Sequence, residues 1–86
     1  MLRIATALTL AVLAGCGVDQ SADCARYVRC LQARDAQRGR QTNLDRFLPT
    51  GKCWANDGLA AQCERGCQRG LDWLREAEAD LPPECW

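Results

Sequence analysis

Seven cysteines and no histidine in 86 residues set the chemistry open to this chain. A thiol can be oxidised to a disulfide, hold a metal, shuttle electrons or accept an acyl group. Without histidine there is no Ser-His-Asp or Cys-His catalysis, no imidazole metal ligand and no imidazole pH switch. Six of the thiols, Cys24, Cys30, Cys53, Cys63, Cys67 and Cys85, are spread through the later part of the chain, and Cys16 stands apart near the amino terminus. Cys63 and Cys67 are spaced to share one helical face, as zinc ligands would. Cys24 and Cys30 are too widely spaced to complete such a site. No Cys-x-x-Cys occurs and no strand–helix alternation frames one, which argues against a thiol redox enzyme. An even six outside the cytoplasm reads as three disulfides.

The context of Cys16 says which compartment is meant. Met1-Leu2-Arg3 makes a short positive start, and Ile4 to Leu13 follows as an apolar run interrupted only by Thr6 and Thr9. This is the pattern of an export signal. A bilayer-spanning helix needs about 20 consecutive apolar residues. This run instead meets Gly15, Cys16 and Gly17 and then Asp19, so it cannot serve as a stable anchor by itself.

Leu13-Ala14-Gly15-Cys16 resembles the lipobox of bacterial lipoproteins at all four positions. The resemblance implies cleavage before Cys16, a thioether-linked diacylglycerol on its sulfur and usually a third acyl chain on the new amino group. Each buried methylene adds roughly 0.8 kcal/mol, so two or three chains hold a protein on a membrane where one would not. Gly17, in place of the aspartate that retains enteric-type lipoproteins in the inner membrane, points to the outer membrane. The implied organisation is a signal peptide at 1–15, the lipidated cysteine and a short tether at 16–21, and a domain at 22–86.

That domain must position six thiols with few large apolar residues. Ordering each residue costs on the order of 1.5 kcal/mol, and three bridges at roughly 2–4 kcal/mol each supply much of the margin. Ser21 caps a predicted helix over about 22–38, which ends at Gly39. With Cys24 at zero and about 100° per residue, Val28 and Leu31 share its face while Cys30 lies to one side. Residues 39–56 form a long connection, in which Thr42-Asn43-Leu44-Asp45 starts a short turn that gathers Leu44, Phe47 and Leu48 as a lid over the hairpin end. Asn56 caps a second helix over about 58–80, closed by Pro82-Pro83. Leu59, Cys63, Cys67, Leu71, Leu74, Ala77 or Glu78, and Leu81 recur on it at three- and four-residue steps. Gly66 and Gly70 on that helix either admit a close neighbour or are simply tolerated at a surface.

The expected fold is all-α, a small disulfide-stapled antiparallel helical hairpin with a long connecting loop. Antiparallel levels put Cys30 between Cys63 and Cys67, which predicts Cys30–Cys67, Cys53–Cys63 and Cys24–Cys85. The rival set is Cys24–Cys67, Cys30–Cys63 and Cys53–Cys85, among the 15 pairings six cysteines allow. The overall cysteine pattern over residues 24–85 also resembles small six-cysteine helical lipoproteins of predicted myxobacterial secretomes, whose members carry no assigned activity.

Other residues have less to offer. Trp54, Trp73 and Trp86 could form an aromatic surface or touch lipid headgroups, but at least two are expected to cover disulfides and helix ends. Arg34, Arg38, Arg40 and Arg46 could attract an anion, but a solvated loop is the expected reading. Asp72 and Glu76 share a face as an acid pair might, yet Arg69 and Arg75 are close enough to pair with Asp72. Ser21, Thr42, Thr50 and Tyr27 have no base to activate them. Eleven basic residues balance eleven acidic ones, which argues against a nucleic-acid partner. No enzyme activity and no cofactor is expected. The sequence predicts an exported, lipid-anchored envelope protein whose domain meets an envelope protein or the wall, with an inhibitor-like binding module acting through loop 39–54 as the alternative.

Overall fold

The computed structural model describes residues 17–86, and both Cys16 and the leader lie outside them. Two helices dominate: α1 (Ala22–Arg38) and α2 (Asp57–Ala77). Three short 3-10 turns, Asp45–Phe47, Lys52–Trp54 and Pro83–Cys85, complete the all-α domain. Local chemistry explains the helix ends. The Ser21 hydroxyl accepts from the Cys24 amide at 3.1 Å, and the Asn56 side chain accepts from the Leu59 amide at 2.9 Å, each filling an otherwise orphaned donor. Gly39 terminates α1 at a left-handed φ of 64°, which a side chain would strain. α2 stops at Ala77 rather than near 80, because Glu78 turns extended and places its carboxylate on α1.

The helices run parallel, not antiparallel as expected. Cys24 is bonded to Cys67, the Gln68 amide donates to Asp23, Tyr27 lies against Gly70, and Arg34 and Arg38 meet Glu78. Partner numbers therefore rise together along both helices. The connection makes this possible. Returning from the top of α1 to the start of α2 requires about 35 Å at 1.5 Å per helical residue, whereas residues 39–56 can extend about 60 Å. A short loop would have forced the antiparallel arrangement.

The three bridges are Cys24–Cys67, Cys30–Cys85 and Cys53–Cys63. Of the expected set only Cys53–Cys63 is found, and Cys30–Cys67 and Cys24–Cys85 are replaced. Cys24 occupies the middle of the α1 stripe and so meets α2. Cys30 stands beside that stripe, faces the tail that folds back after Pro82, and takes Cys85 from it. Of the rival set Cys24–Cys67 is found, and Cys30–Cys63 and Cys53–Cys85 are not.

Two apolar clusters follow. The lower one packs Cys24, Cys53, Trp54, Cys63 and Cys67. The upper one packs Val28, Leu31, Leu44, Leu71 and Leu74 with Cys30 and Cys85. Tyr27 and Phe47 touch both clusters, ring edge to face at 5.5 Å. The turn carrying Phe47 thus lies against the side of the helix pair rather than over one end.

Candidate functional site

The return connection is the most exposed structured segment, and its shape is set from inside. Asp35, buried on α1, accepts the Thr42 amide at 2.9 Å through Oδ2 and the Arg40 amide at 3.0 Å through its carbonyl. Leu44 then enters the upper cluster. Beyond it, the Leu48 amide donates to Asp45 and the Gly51 amide to Leu48, which folds 45–51 back on itself. The Trp54 indole N–H is shared between the carbonyls of Leu48 at 2.9 Å and Phe47 at 3.2 Å. Gln20 donates to the same Phe47 carbonyl at 2.9 Å. The Cys53–Cys63 bridge joins the end of the connection to α2. A buried indole and a disulfide therefore hold a turn whose tip, Pro49-Thr50, faces solvent.

Beside that tip is an open cleft of about 680 Å³, lined by Asn43, Asp45, Arg46, Leu48, Thr50, Gly51 and Lys52. Arg46 lies over the Phe47 ring at 5.4 Å, with its guanidinium 3.8 Å from the Cys63 sulfur. Such a rim can meet a partner by apolar contact, one carboxylate and two cations.

The four arginines considered together in the sequence are split apart. Arg34 makes a two-pronged pair with Glu78, Nε to Oε1 at 2.8 Å and Nη2 to Oε2 at 2.7 Å, and Arg38 adds a contact at 2.6 Å. The Arg34 hydrogen bonds, reinforced by Arg38, hold the Glu78 carboxyl below the usual glutamate range. The same hydrogen bonding raises the Arg34 guanidinium above its ordinary value. These two arginines are structural cross-braces between α1 and the end of α2. Only Arg40 and Arg46 of the four belong to the connection.

The tryptophans divide otherwise than expected. Trp54 is 4 % exposed, but Trp73 and Trp86 are 63 % and 61 % exposed, so a single tryptophan covers the bridges. The Arg75 guanidinium lies over the Trp86 ring, 5.5 Å from its centroid, and Arg26 donates to the Trp86 carbonyl. Arg75 also donates to the Cys85 carbonyl at 2.7 Å and approaches the exposed Asp72 at 4.0 Å. Ser21 is consumed as a cap, and the Tyr27 ring is packed against Gly70 and Phe47. Of the two helix glycines, Gly70 admits a neighbour and Gly66 faces open space.

Asp35 and Gln20 were not singled out in the sequence. Asp35 had a signal, since it continues the Val28-Leu31 spacing and falls only about 20° from Cys24 around α1. A carboxylate in the middle of an apolar stripe calls for donors; the connection gives one to Oδ2, from the Thr42 amide, and Oδ1 is buried without a hydrogen-bond partner. Gln20 had no local signal because its partner is distant in sequence.

All six described cysteines are in disulfides, and none of the described helices is long and apolar enough to cross a membrane. The bridges are compatible with an oxidising compartment outside the cytosol. Fold and site together define a small, all-α, disulfide-stapled domain with a rigidly held exposed turn. Comparison with protein families, curated proteins and solved structures finds no match to this chain.

Proposed function

We propose that this chain is a lipoprotein of the cell envelope, anchored in the outer membrane through acyl chains on Cys16, whose domain acts by contact rather than catalysis. Its partner is another envelope protein or the wall. The observation that carries this reading is the lipobox of Leu13 to Cys16 standing directly before a three-bridge domain. A domain built for an oxidising space and joined to an acyl acceptor by a few residues suits a membrane-surface contact module. The test is metabolic labelling with fatty acid. Label in the wild type and none in Cys16→Ser supports the anchor, and label in both overturns it. Crosslinking in intact envelopes then identifies the partner.

A second reading is favoured by the Trp54 indole locking the Phe47 and Leu48 carbonyls. A loop already rigid when free loses little entropy on binding, which is how small stapled inhibitors gain affinity. Under this reading residues 39–54 engage a diffusible protein or ligand. Crosslinking separates the two: a fixed scaffold partner supports the first reading, and a diffusible partner captured at the Pro49-Thr50 tip supports the second.

A further inference from the structure

We infer that the pole formed by Gly17-Val18, Trp54 to Ala61 and Lys52 faces the lipid surface, so that the domain stands on the membrane in one orientation. The inference rests on the lipid-anchor reading of Cys16 and adds the face that meets the bilayer. Its first support is the tether. An extended 17–21 would be a free spacer of 15–20 Å, at about 3.4 Å per residue. The residues are instead bound to the domain. The Val18 amide donates to the Trp54 carbonyl at 2.8 Å, and Gln20 to the Phe47 carbonyl at 2.9 Å. Gly17 is therefore fixed beside Trp54, and the acyl-bearing residue is its direct neighbour, about 3.8 Å away between Cα atoms. No slack remains for the domain to turn over.

The second support is how charge is distributed along the helix pair. From Cys53 to Cys63 the chain carries only Asp57 as a charged residue, and the exposed surface there is made of Ala55, Asn56, Asp57, Gly58, Ala61 and Gln62, with Leu59 and Ala60 half-buried. Asp19, Asp45, Arg46 and Lys52 add two charges of each sign beside it. From Glu64 to Asp80, by contrast, charged residues recur every few positions, and Arg29, Arg34, Arg38 and Arg40 accompany them on the other side. Bringing a charge-poor pole to headgroups costs little desolvation, whereas the opposite pole would have to shed the hydration of many ions. Anchor position and charge distribution thus select the same pole. The exposed Trp73 lies about 24 Å further up α2 and stays clear of the bilayer.

Lys52 is the single lysine of the chain and marks this pole. The acylated full-length protein, placed in phosphatidylcholine–phosphatidylglycerol vesicles, is labelled there with an amine-reactive dye, and nitroxide-headgroup lipid is added as quencher. In a Lys52→Arg/Gln37→Lys variant the same dye sits at the top of α1, about 35 Å from the pole. The expected result is loss of most fluorescence at Lys52 and little at position 37. Equal loss at both positions, or greater loss at 37, overturns the orientation. A Val18→Pro/Gln20→Ala variant removes both clamp bonds and should still float with vesicles while the difference between the two dye positions shrinks. An unchanged difference overturns the role of the clamp. If the wild type does not float with vesicles, or Cys16→Ser floats equally well, the anchor reading itself fails, and the orientation with it.

Discussion

The lower and upper halves of the helix pair are held by different means. Below, two of the three bridges and one indole fill the space between α1, α2 and the connection, with no leucine in the buried cluster. Above, Val28, Leu31, Leu44, Leu71 and Leu74 pack in ordinary apolar contact, and Glu78 clamps Arg34 and Arg38 across the helix ends. The upper half adds one bridge, which ties down the tail rather than the helix pair. A covalent bond needs little surrounding volume to act, whereas leucine packing needs many neighbours. The half joined to the tether is thus the one whose shape depends least on burial.

Reducing all three bridges should have the largest effect. The residual leucine cluster is too small to order the chain, so cooperative unfolding followed by far-ultraviolet dichroism should disappear in reductant. An unchanged transition would mean that the upper half folds unaided. Next in size is the Cys24→Ala/Cys67→Ala variant, which opens a closure of 43 residues and should lose about 4 kcal/mol in chemical denaturation. The Cys53→Ala/Cys63→Ala variant, with a separation of only 10, should lose about 3 kcal/mol. If their order were reversed, bridges in the lower half would act through strain or packing rather than chain entropy.

In the upper half Leu74→Ala should cost about 3 kcal/mol, by the loss of buried surface and the cavity left behind. The helix glycines give a smaller and opposed pair. A Cβ on Gly70 would stand 2.7 Å from the Tyr27 ring, which Phe47 holds in place, so Gly70→Ala should destabilise by about 1 kcal/mol. Gly66 has nothing within 4 Å, and Gly66→Ala should stabilise by up to about 1 kcal/mol. Thermal melts of the two variants, shifting in opposite directions, check both.

The smallest effect concerns acid. The Glu78 carboxyl is held below its ordinary value of 4.5, so its contribution is present above that value and fades as pH falls through the lowered one. Stability should therefore drop on acidification below about pH 4.5, and less steeply in Glu78→Gln, which has no such proton to gain. Equal slopes for the two proteins would show that Glu78 does not couple the helices.

Much of this was legible from sequence because it is local. Ser21, Gly39 and Asn56 act on amides within a few residues, so α1 was predicted from 22 to 38 as found, and α2 to within one residue of its start. The stripe of Cys63, Cys67, Leu71 and Leu74 follows from helical periodicity alone. An all-α domain with stapled helices needs no more than these signals. The direction of one helix against the other was decided elsewhere. Parallel and antiparallel pairs bury the same stripes, and the long connection permits both. The choice fell to contacts outside the helices' own signals, namely Asp35 and Trp54 shaping the connection and, distant in sequence, Gln20 holding it at the lower end and Glu78 reaching α1 at the upper. The cysteine pairing follows from that direction. Sequence spacing placed Cys24 in the apolar stripe of α1 and Cys30 beside it, but the expected antiparallel levels gave Cys30 to α2 and Cys24 to the tail, the reverse of what the parallel pair sets.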